Sequence, residues 1–131
     1  MSQALFYHVW FSTKRRKRLL LGEMESTVKT ILTETAEEKG VNLLECQPMV
    51  DHVHMLVEAA SEQELSWIMK LLKGRSAYDV CRRAPELKLD AGENSFWQRG
   101  FASRAVPEDK LETVRRYIRT QDQRLEKYER P

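Results

Sequence analysis

Two histidines lie one residue apart in the segment DHVHMLVEA, which runs from Asp51 to Ala59. The rest of the segment has the apolar composition of a β-strand. Because residues i and i+2 of a strand point to the same side, about 7 Å apart, His52 and His54 should present two imidazoles on one face. Two neutral imidazoles on one rigid strand can form two ligands of a metal site.

The last helical segment offers a third ligand for such a site. Tyr117 and Gln121 are four residues apart, so they share one face of a helix. An amide oxygen is a hard ligand, and it suits Mg²⁺ or Mn²⁺ better than Zn²⁺. Taken singly, each residue has a simpler interpretation. The histidines can be hydrogen-bonded polar residues, Tyr117 can be an amphipathic packing residue, and Gln121 can be a solvated surface residue. From spacing alone, the interpretation as a metal site and the interpretation as ordinary polar residues both stay open.

The elements that must position these residues follow a recognisable order. Hydrophobic periodicity and turn signals separate strands from helices, and Pro107 suits the first turn of the last helix. We predict strands at 4–11, 41–49, 52–59 and 96–106, and helices at 23–39, from 61 to about 83, and from 107 onwards. This order predicts an α+β, ferredoxin-like split β-α-β fold, with an antiparallel sheet and two helices on one face. The additional C-terminal helix, which bears Tyr117, must lie against the sheet or reach another subunit.

Length and composition limit the number of domains and the classes of function that the chain can have. The 131 residues suit one domain over 1–131. The net charge of +2 does not by itself indicate a nucleic-acid-binding protein. Cys46 and Cys81 lie far apart, which argues against a disulfide framework and fits a reducing cytoplasm. No signal peptide and no apolar run of about 20 residues is present, so we expect no membrane segment. No GxxxxGK[ST] motif is present, so we expect no nucleotide cofactor.

Four motifs, taken in order along the chain, resemble one known family. His52-Val53-His54 is a His-hydrophobic-His (HUH) motif, and YIRTQ, from Tyr117 to Gln121, is a Tyr-xxx-Gln motif. YHVWFSTKRRKRLL precedes them and LLKGRSAY lies between them. With these motifs, nearly the whole chain resembles the single-tyrosine HUH transposases of bacterial insertion sequences, which have repeat-associated tyrosine transposases as close relatives.

The resemblance implies a role for each residue of the two motifs. His52 and His54 match the metal-binding histidines of the family, Gln121 its third ligand and Tyr117 its nucleophile. The family forms homodimers, in which the tyrosine helix of one subunit often completes the site of the other. It acts on single-stranded DNA, binds hairpins at the ends of the element and cuts beside them.

The chemistry of these residues agrees with that implication. A free phenol has a pKa of about 10 and is a poor nucleophile at neutral pH. A divalent ion on His52, His54 and Gln121 would polarise the scissile phosphate, and attack by Tyr117 would then give a 5′-phosphotyrosine bond and a free 3′-OH.

Basic side chains fall into three clusters that could bind the DNA backbone. They are Lys14, Arg15, Arg16, Lys17 and Arg18; Lys70, Lys73 and Arg75; and Arg115, Arg116 and Arg119. A solvated loop is the simpler interpretation of the first cluster. The candidates for base stacking are Trp67, Tyr78, Phe96 and Trp97. For Trp67, Leu71 and Tyr78 we favour a core or dimer stripe, and for His8 we favour structural packing.

Two other classes of function remain open. One is a non-catalytic module on the same fold, such as a domesticated protein that binds hairpin DNA or RNA. The other is a structural zinc protein, which the lack of an evident fourth nitrogen or sulfur ligand disfavours.

Overall fold

The computed structural model of the chain describes residues 5–86 and 96–121. The strands are β1 (Leu5–Ser12), β2 (Leu43–Pro48), β3 (His52–Ala59) and β4 (Ala102–Val106), and the helices are α1 (Glu23–Glu38), α2 (Glu62–Arg83) and α3 (Leu111–Arg119). Short 3-10 turns over Lys14–Arg16 and Glu108–Lys110 follow β1 and precede α3. The predicted order β-α-β-β-α-β-α is confirmed. The predicted loop at 90–95 and the tail from Gln123 lie outside the described residues.

The four strands form one antiparallel sheet in the order β2-β3-β1-β4. Its two central strands, β1 and β3, are paired so that Trp10 lies opposite His54 and Ser12 opposite His52. The two hairpin partners β2 and β3 are adjacent, whereas β1 lies between β3 and β4. This is the order of a split β-α-β sheet, as the sequence predicted.

The two faces of the sheet have different roles, because side chains alternate along each strand. Val53, Met55 and Val57 of β3 point to the main core, and none of them is exposed to solvent. His52 and His54 point to the opposite face. The sheet therefore separates the residues that build the core from those that could do chemistry.

Helices α1 and α2 cover the core face. The start of α2 is capped, since the backbone N–H of Glu64 donates to the Ser61 hydroxyl at 3.1 Å. Each helix contributes an apolar stripe at helical spacing. The buried residues are Val28, Ile31, Leu32, Thr35 and Ala36 from α1, and Leu65, Ile68, Met69, Leu72, Ser76 and Val80 from α2.

Helix α3 lies on the opposite face, against the sheet of its own chain. Ile118 is fully buried there with Leu56 and Val106, while Leu111 and Val114 pack around them half-buried. The predicted inner face of this helix is thereby confirmed. The contacts place Tyr117 on the sheet face that carries the histidines.

The predicted strand over 96–106 is wrong in its first half, since β4 begins only at Ala102. Phe96 and Trp97 are buried instead in the main core, and Trp97 forms a single bridge with Thr13. The indole N–H of Trp97 donates to the Ser76 hydroxyl of α2 at 2.9 Å. Aromatic composition is typical of a strand, but here the large side chains anchor an irregular segment to a helix. None of the described helices is long and apolar enough to cross a membrane.

Candidate active site

The histidine pair has the geometry that the strand pattern predicts. His52 and His54 lie on the same face of β3 with ring centroids 5.0 Å apart and ring planes nearly perpendicular. His54 is buried, and the side chain of His52 is 19% exposed. The pair therefore has a buried member and a member at the solvent edge.

Each imidazole is held at Nδ1 by a different neighbour. His52 donates from Nδ1 to the Asp51 carboxylate at 2.6 Å, and Nδ1 of His54 shares a hydrogen bond with Nε2 of His8 at 3.0 Å. Within residues 5–86 and 96–121, no hydrogen bond engages Nε2 of either His52 or His54. A metal ligand in this position typically has its second ring nitrogen hydrogen-bonded in just this way.

The electrostatics keep the buried imidazoles neutral near pH 7. Burial, and then the electrostatic repulsion that His52 and His8 would exert on a positive charge, lower the pKa of His54 to about 4. Burial, and then the charge of Arg104, lower the pKa of His8. Burial alone would raise the pKa of Asp51, but hydrogen bonds from His52 and Arg16 outweigh it and lower that pKa. Neutral imidazole is the form that binds a metal.

Tyr117 lies beside the histidines of its own chain. Its ring centroid is 6.3 Å from that of His54 and 5.9 Å from that of His8, both in edge-to-face orientation. Tyr117 is 39% exposed. A half-exposed phenol next to the histidine pair can meet a substrate that enters from solvent.

Gln121 follows α3 and is half-buried. Its amide nitrogen donates to the backbone carbonyl of Tyr117 at 3.1 Å, and it forms no hydrogen bond with His52 or His54. Among the described residues, no three His, Cys, Asp or Glu side chains could hold a metal ion together. Ring contacts bring together His52, His54 and Tyr117, whereas the hydrogen bond of Gln121 is to its own helix.

Two open grooves meet at His54 and Trp10. One extends past Ser12 and His52 to the segment 98–102 and is flanked by Arg16 and Arg99. The other extends to Tyr117. The two grooves together pass over the histidines.

The basic turn after β1 is attached to the start of β3. The Thr13 hydroxyl donates to the Lys17 carbonyl at 2.6 Å, and the Thr13 backbone N–H donates to the Asp51 carbonyl at 2.9 Å. Arg16 forms an ion pair with Asp51 at 3.3 Å. The turn therefore carries its positive charge to the edge of the histidine pair.

The basic residues of α2 lie on the helix that covers the opposite face. Lys70 is exposed, and Arg75 forms an ion pair with Asp79 at 3.1 Å. Lys73 reaches the groove wall, where its ammonium donates to the carbonyls of Gln98 at 2.8 Å and Gly100 at 2.6 Å. Lys73 holds the groove segment in place, a contact that the sequence did not predict.

The arginines of α3 also include both ion-paired and exposed side chains. Arg115 and Arg119 both donate to the same carboxylate oxygen of Glu45, at 3.0 and 2.7 Å. Arg116 is exposed, and no ion pair involves it within the described residues. Glu45 on β2 thus contributes to holding α3 on its own sheet.

Of the predicted stacking residues, Phe96 and Trp97 are buried in the core and cannot contact a base in this structure. Trp67 and Tyr78 are 59% and 61% exposed on α2. Trp10, which is not among the predicted stacking residues, lines both grooves with its ring centroid 5.0 Å from that of His8. The alternation of His8 and Trp10 in β1 was the available signal.

Comparison with known proteins agrees with this arrangement. Residues 1–121 match the family described as "Transposase IS200 like". The ISDra2 transposase TnpA of Deinococcus radiodurans is 31% identical over 117 residues, covering 89% of this chain and 84% of that protein. The transposases for insertion sequence element IS200 of Salmonella typhimurium and Salmonella typhi are 35% identical over 95 residues, covering 72% of this chain and 62% of those proteins.

Solved structures give the same result. A crystal structure from Deinococcus radiodurans R1, described as that of a transposase, has a TM-score of 0.72 at 29% identity and covers 91% of this chain and 92% of that one. A REP-associated tyrosine transposase bound to a REP hairpin has a TM-score of 0.64, covering 95% of this chain and 68% of that one, and at 12% identity this likeness shows the fold alone. From the match over residues 1–121 and the identity with the ISDra2 transposase, the chain belongs to the IS200-like transposase family.

Proposed function

We propose that this transposase cuts and rejoins single-stranded DNA beside a hairpin, with Tyr117 as the nucleophile and Mg²⁺ or Mn²⁺ on His52, His54 and Gln121. The observation that carries the proposal is the position of Tyr117, whose ring centroid lies 6.3 Å from that of His54. Nε2 of both histidines lacks a hydrogen-bonding partner among the described residues. The choice of substrate follows the REP hairpin bound to the REP-associated tyrosine transposase, a protein that shares this fold.

The residues fit a hard divalent cation. Two imidazole nitrogens and one amide oxygen are neutral donors that Mg²⁺ or Mn²⁺ accepts. The ion, when bound, supplies charge to polarise the scissile phosphate. Because the three ligands carry no negative charge, the phosphate itself should contribute to binding, so that metal and DNA bind with positive coupling.

In the covalent step, bonds form and break only between Tyr117 and the DNA. The phenol oxygen forms a bond to phosphorus while the bond from phosphorus to the 3′ oxygen breaks. The phenol gives up its proton and the leaving 3′ oxygen takes one up. The products are a 5′-phosphotyrosine and a 3′-OH. Attack by another 3′-OH reverses the step and restores Tyr117, so the energy of the phosphodiester is retained and no nucleotide cofactor is needed.

Positive charge at the groove edge would hold the DNA backbone. Arg16 beside His52 and Arg99 across the groove flank the path that we propose for the strand. The turn over 14–18 and the exposed Arg116 of α3 add further basic side chains. Contacts of this type give affinity that does not depend on sequence and falls with salt.

A homodimer is part of the proposal. Trp67 and Tyr78 leave large apolar side chains exposed on α2, with Leu71 half-buried between them. β2 and β4 are the edge strands of the sheet, and among the described residues neither pairs with a further strand. Light scattering at micromolar concentration should give twice the 15.4 kDa of the chain. A mass near that of one chain would contradict the dimer.

The nucleophile is tested by Tyr117→Phe, which removes one hydroxyl at nearly constant shape. We expect the variant to lose cleavage and the denaturation-resistant DNA adduct while it still binds a hairpin oligonucleotide. Tyr78→Phe, an exposed tyrosine elsewhere, is the matched control and should cleave normally. An adduct formed by the Tyr117→Phe protein would exclude Tyr117. A wild-type protein that binds hairpins but never cleaves them would indicate a non-catalytic binding module.

The metal is tested by titrating Mn²⁺ into the protein with and without a single-stranded hairpin. We expect tighter binding when the DNA is present, and loss of cleavage in His54→Ala at all practical Mg²⁺ concentrations. Gln121→Ala should be partly rescued by high Mn²⁺, because water can replace a neutral oxygen ligand. Equal metal affinity in both titrations would contradict the coupling, and tight Zn²⁺ binding without DNA would indicate a structural site.

A further inference from the structure

His8 lies in the candidate site although it belongs to neither motif. It is on β1, opposite Leu56, while its neighbour Trp10 is opposite His54, so His8 and His54 are diagonal neighbours across two paired strands. The chain contains three histidines, and all three meet here. His8 is buried, and its Nε2 lies 3.0 Å from Nδ1 of His54.

A hydrogen bond between two neutral imidazoles contains one proton, and its position decides what His54 can do. If His8 donates from Nε2, then His54 carries its own proton on Nε2 and cannot offer that atom to a metal. If His54 donates from Nδ1, then its Nε2 has a free lone pair. Only the second arrangement makes His54 a ligand through Nε2.

We propose that His8 is a positioning residue for the metal site: its Nε2 accepts the Nδ1–H of His54 and fixes the tautomer in which Nε2 of His54 faces the metal. The inference rests on the metal site of the proposed function and adds a residue to it. His8 is not itself the third ligand, because the nitrogen that faces the pair is the one occupied by His54.

The other half of the pair shows the same arrangement with a different partner. Asp51 accepts the Nδ1–H of His52 at 2.6 Å, and a carboxylate can only accept. The two histidines thus have equivalent bonds at Nδ1, one to an acid and one to an imidazole. Both bonds leave Nε2 available on the same face of β3.

The orientation of His8 is in turn fixed by packing. Its ring centroid lies 5.0 Å from that of Trp10 and 5.9 Å from that of Tyr117. His8 therefore contacts the ligand His54 on one side and the proposed nucleophile on the other. A change in its ring position would be transmitted to both.

The tautomer can be measured directly on the wild-type protein. With three histidines in the chain, a long-range ¹H–¹⁵N spectrum of histidine-labelled protein contains only the imidazoles of His8, His52 and His54. At saturating Mg²⁺ we expect His52 and His54 to carry their protons on Nδ1, and His8 to accept at Nε2. A His54 protonated on Nε2 under these conditions would overturn the proposal without any variant having to fold.

Two variants test the consequence for metal binding. His8→Phe keeps an aromatic ring but no acceptor, and Mn²⁺ affinity should fall about 10- to 100-fold, the usual effect of losing such a partner. His8→Gln supplies a carbonyl oxygen in its place and should stay within a few-fold of wild type. His52→Ala is the control for the metal site.

The His52→Ala control distinguishes a failure of the proposed role of His8 from a failure of the proposed metal site. If His52→Ala loses Mn²⁺ binding and His8→Phe binds as wild type does, the role of His8 is excluded while the proposed metal site stands. If all of the variants bind as wild type does, the metal site itself is wrong and the role of His8 with it. Loss in His8→Gln as large as in His8→Phe would also overturn the tautomer argument.

Discussion

Removing part of the Ile118 side chain should loosen α3 without unfolding the rest of the protein. Ile118 is the fully buried residue of this helix, and it packs on Leu56 and Val106 apart from the main core. A helix of nine residues is unstable alone. Its contacts with the sheet should therefore decide how often it detaches and takes Tyr117 with it.

The size of the effect follows from what surrounds the side chain. Ile→Val in a core costs about 0.5–1.5 kcal/mol and Ile→Ala about 2–5 kcal/mol. Leu111 and Val114 are only half-buried beside Ile118 and can settle into the space, so we expect the lower part of each range. A loss of about 0.5–1 kcal/mol for Ile118→Val corresponds to a ~2- to 5-fold rise in the open fraction, and about 2–3 kcal/mol for Ile118→Ala to a ~30- to 150-fold rise.

Amide hydrogen exchange measures this opening directly. The amides of α3 should exchange faster by these factors, with the larger increase in Ile118→Ala and the smaller in Ile118→Val. The amides of β3 should stay at the wild-type rate. Val28→Ala is the matched control, since Val28 is fully buried in the core on the other face of the sheet. Truncating this side chain should also speed exchange of the β3 amides. Equal acceleration of α3 and β3 in Ile118→Ala would refute a separately docked helix, as would no acceleration at all.

Three further outcomes follow from individual contacts. Glu45→Gln removes the charge that two α3 arginines share, so the α3 amides should exchange faster. If the ion pairs are responsible, this difference from wild type should shrink at high salt. Lys73→Gln should speed exchange at residues 98–100, whereas Lys70→Gln, the same change at an exposed lysine, should not; equal exchange in the two variants would argue against the tether. Burial raises the pKa of Cys46 to about 12, so in a Cys81→Ser background the folded protein should resist iodoacetamide at pH 8 until denaturant is added, and rapid native alkylation would show that the thiol is accessible.

The fold could be predicted from the sequence because each element carries its own periodicity. Alternation in β3 and the apolar stripes of α1 and α2 are local patterns, and they determine which side each residue buries. The prediction failed for Phe96 and Trp97, where aromatic composition suggested a strand. These side chains are buried against α2 and β1, which no local pattern reveals.

The site was predictable only where its residues are close in sequence. His52 with His54, and Tyr117 with Gln121, follow from spacing within one strand or helix. The hydrogen bond between His8 and His54 joins residues 46 apart, and its existence depends on the register of β1 against β3. Side-chain partners of this kind are determined by tertiary contacts.

The separation of the two sheet faces has a consequence for how this gene can change. In β3, Val53, Met55 and Val57 support the main core whereas His52 and His54 face the site, so point substitutions of His52 or His54 should leave a folded protein. A one-residue deletion within the strand is different, because it exchanges the two sets. It would turn imidazoles toward α1 and α2 and leave Val53 or Met55 facing the groove. The strand should therefore tolerate many missense mutations that abolish activity, but not a single-codon insertion or deletion.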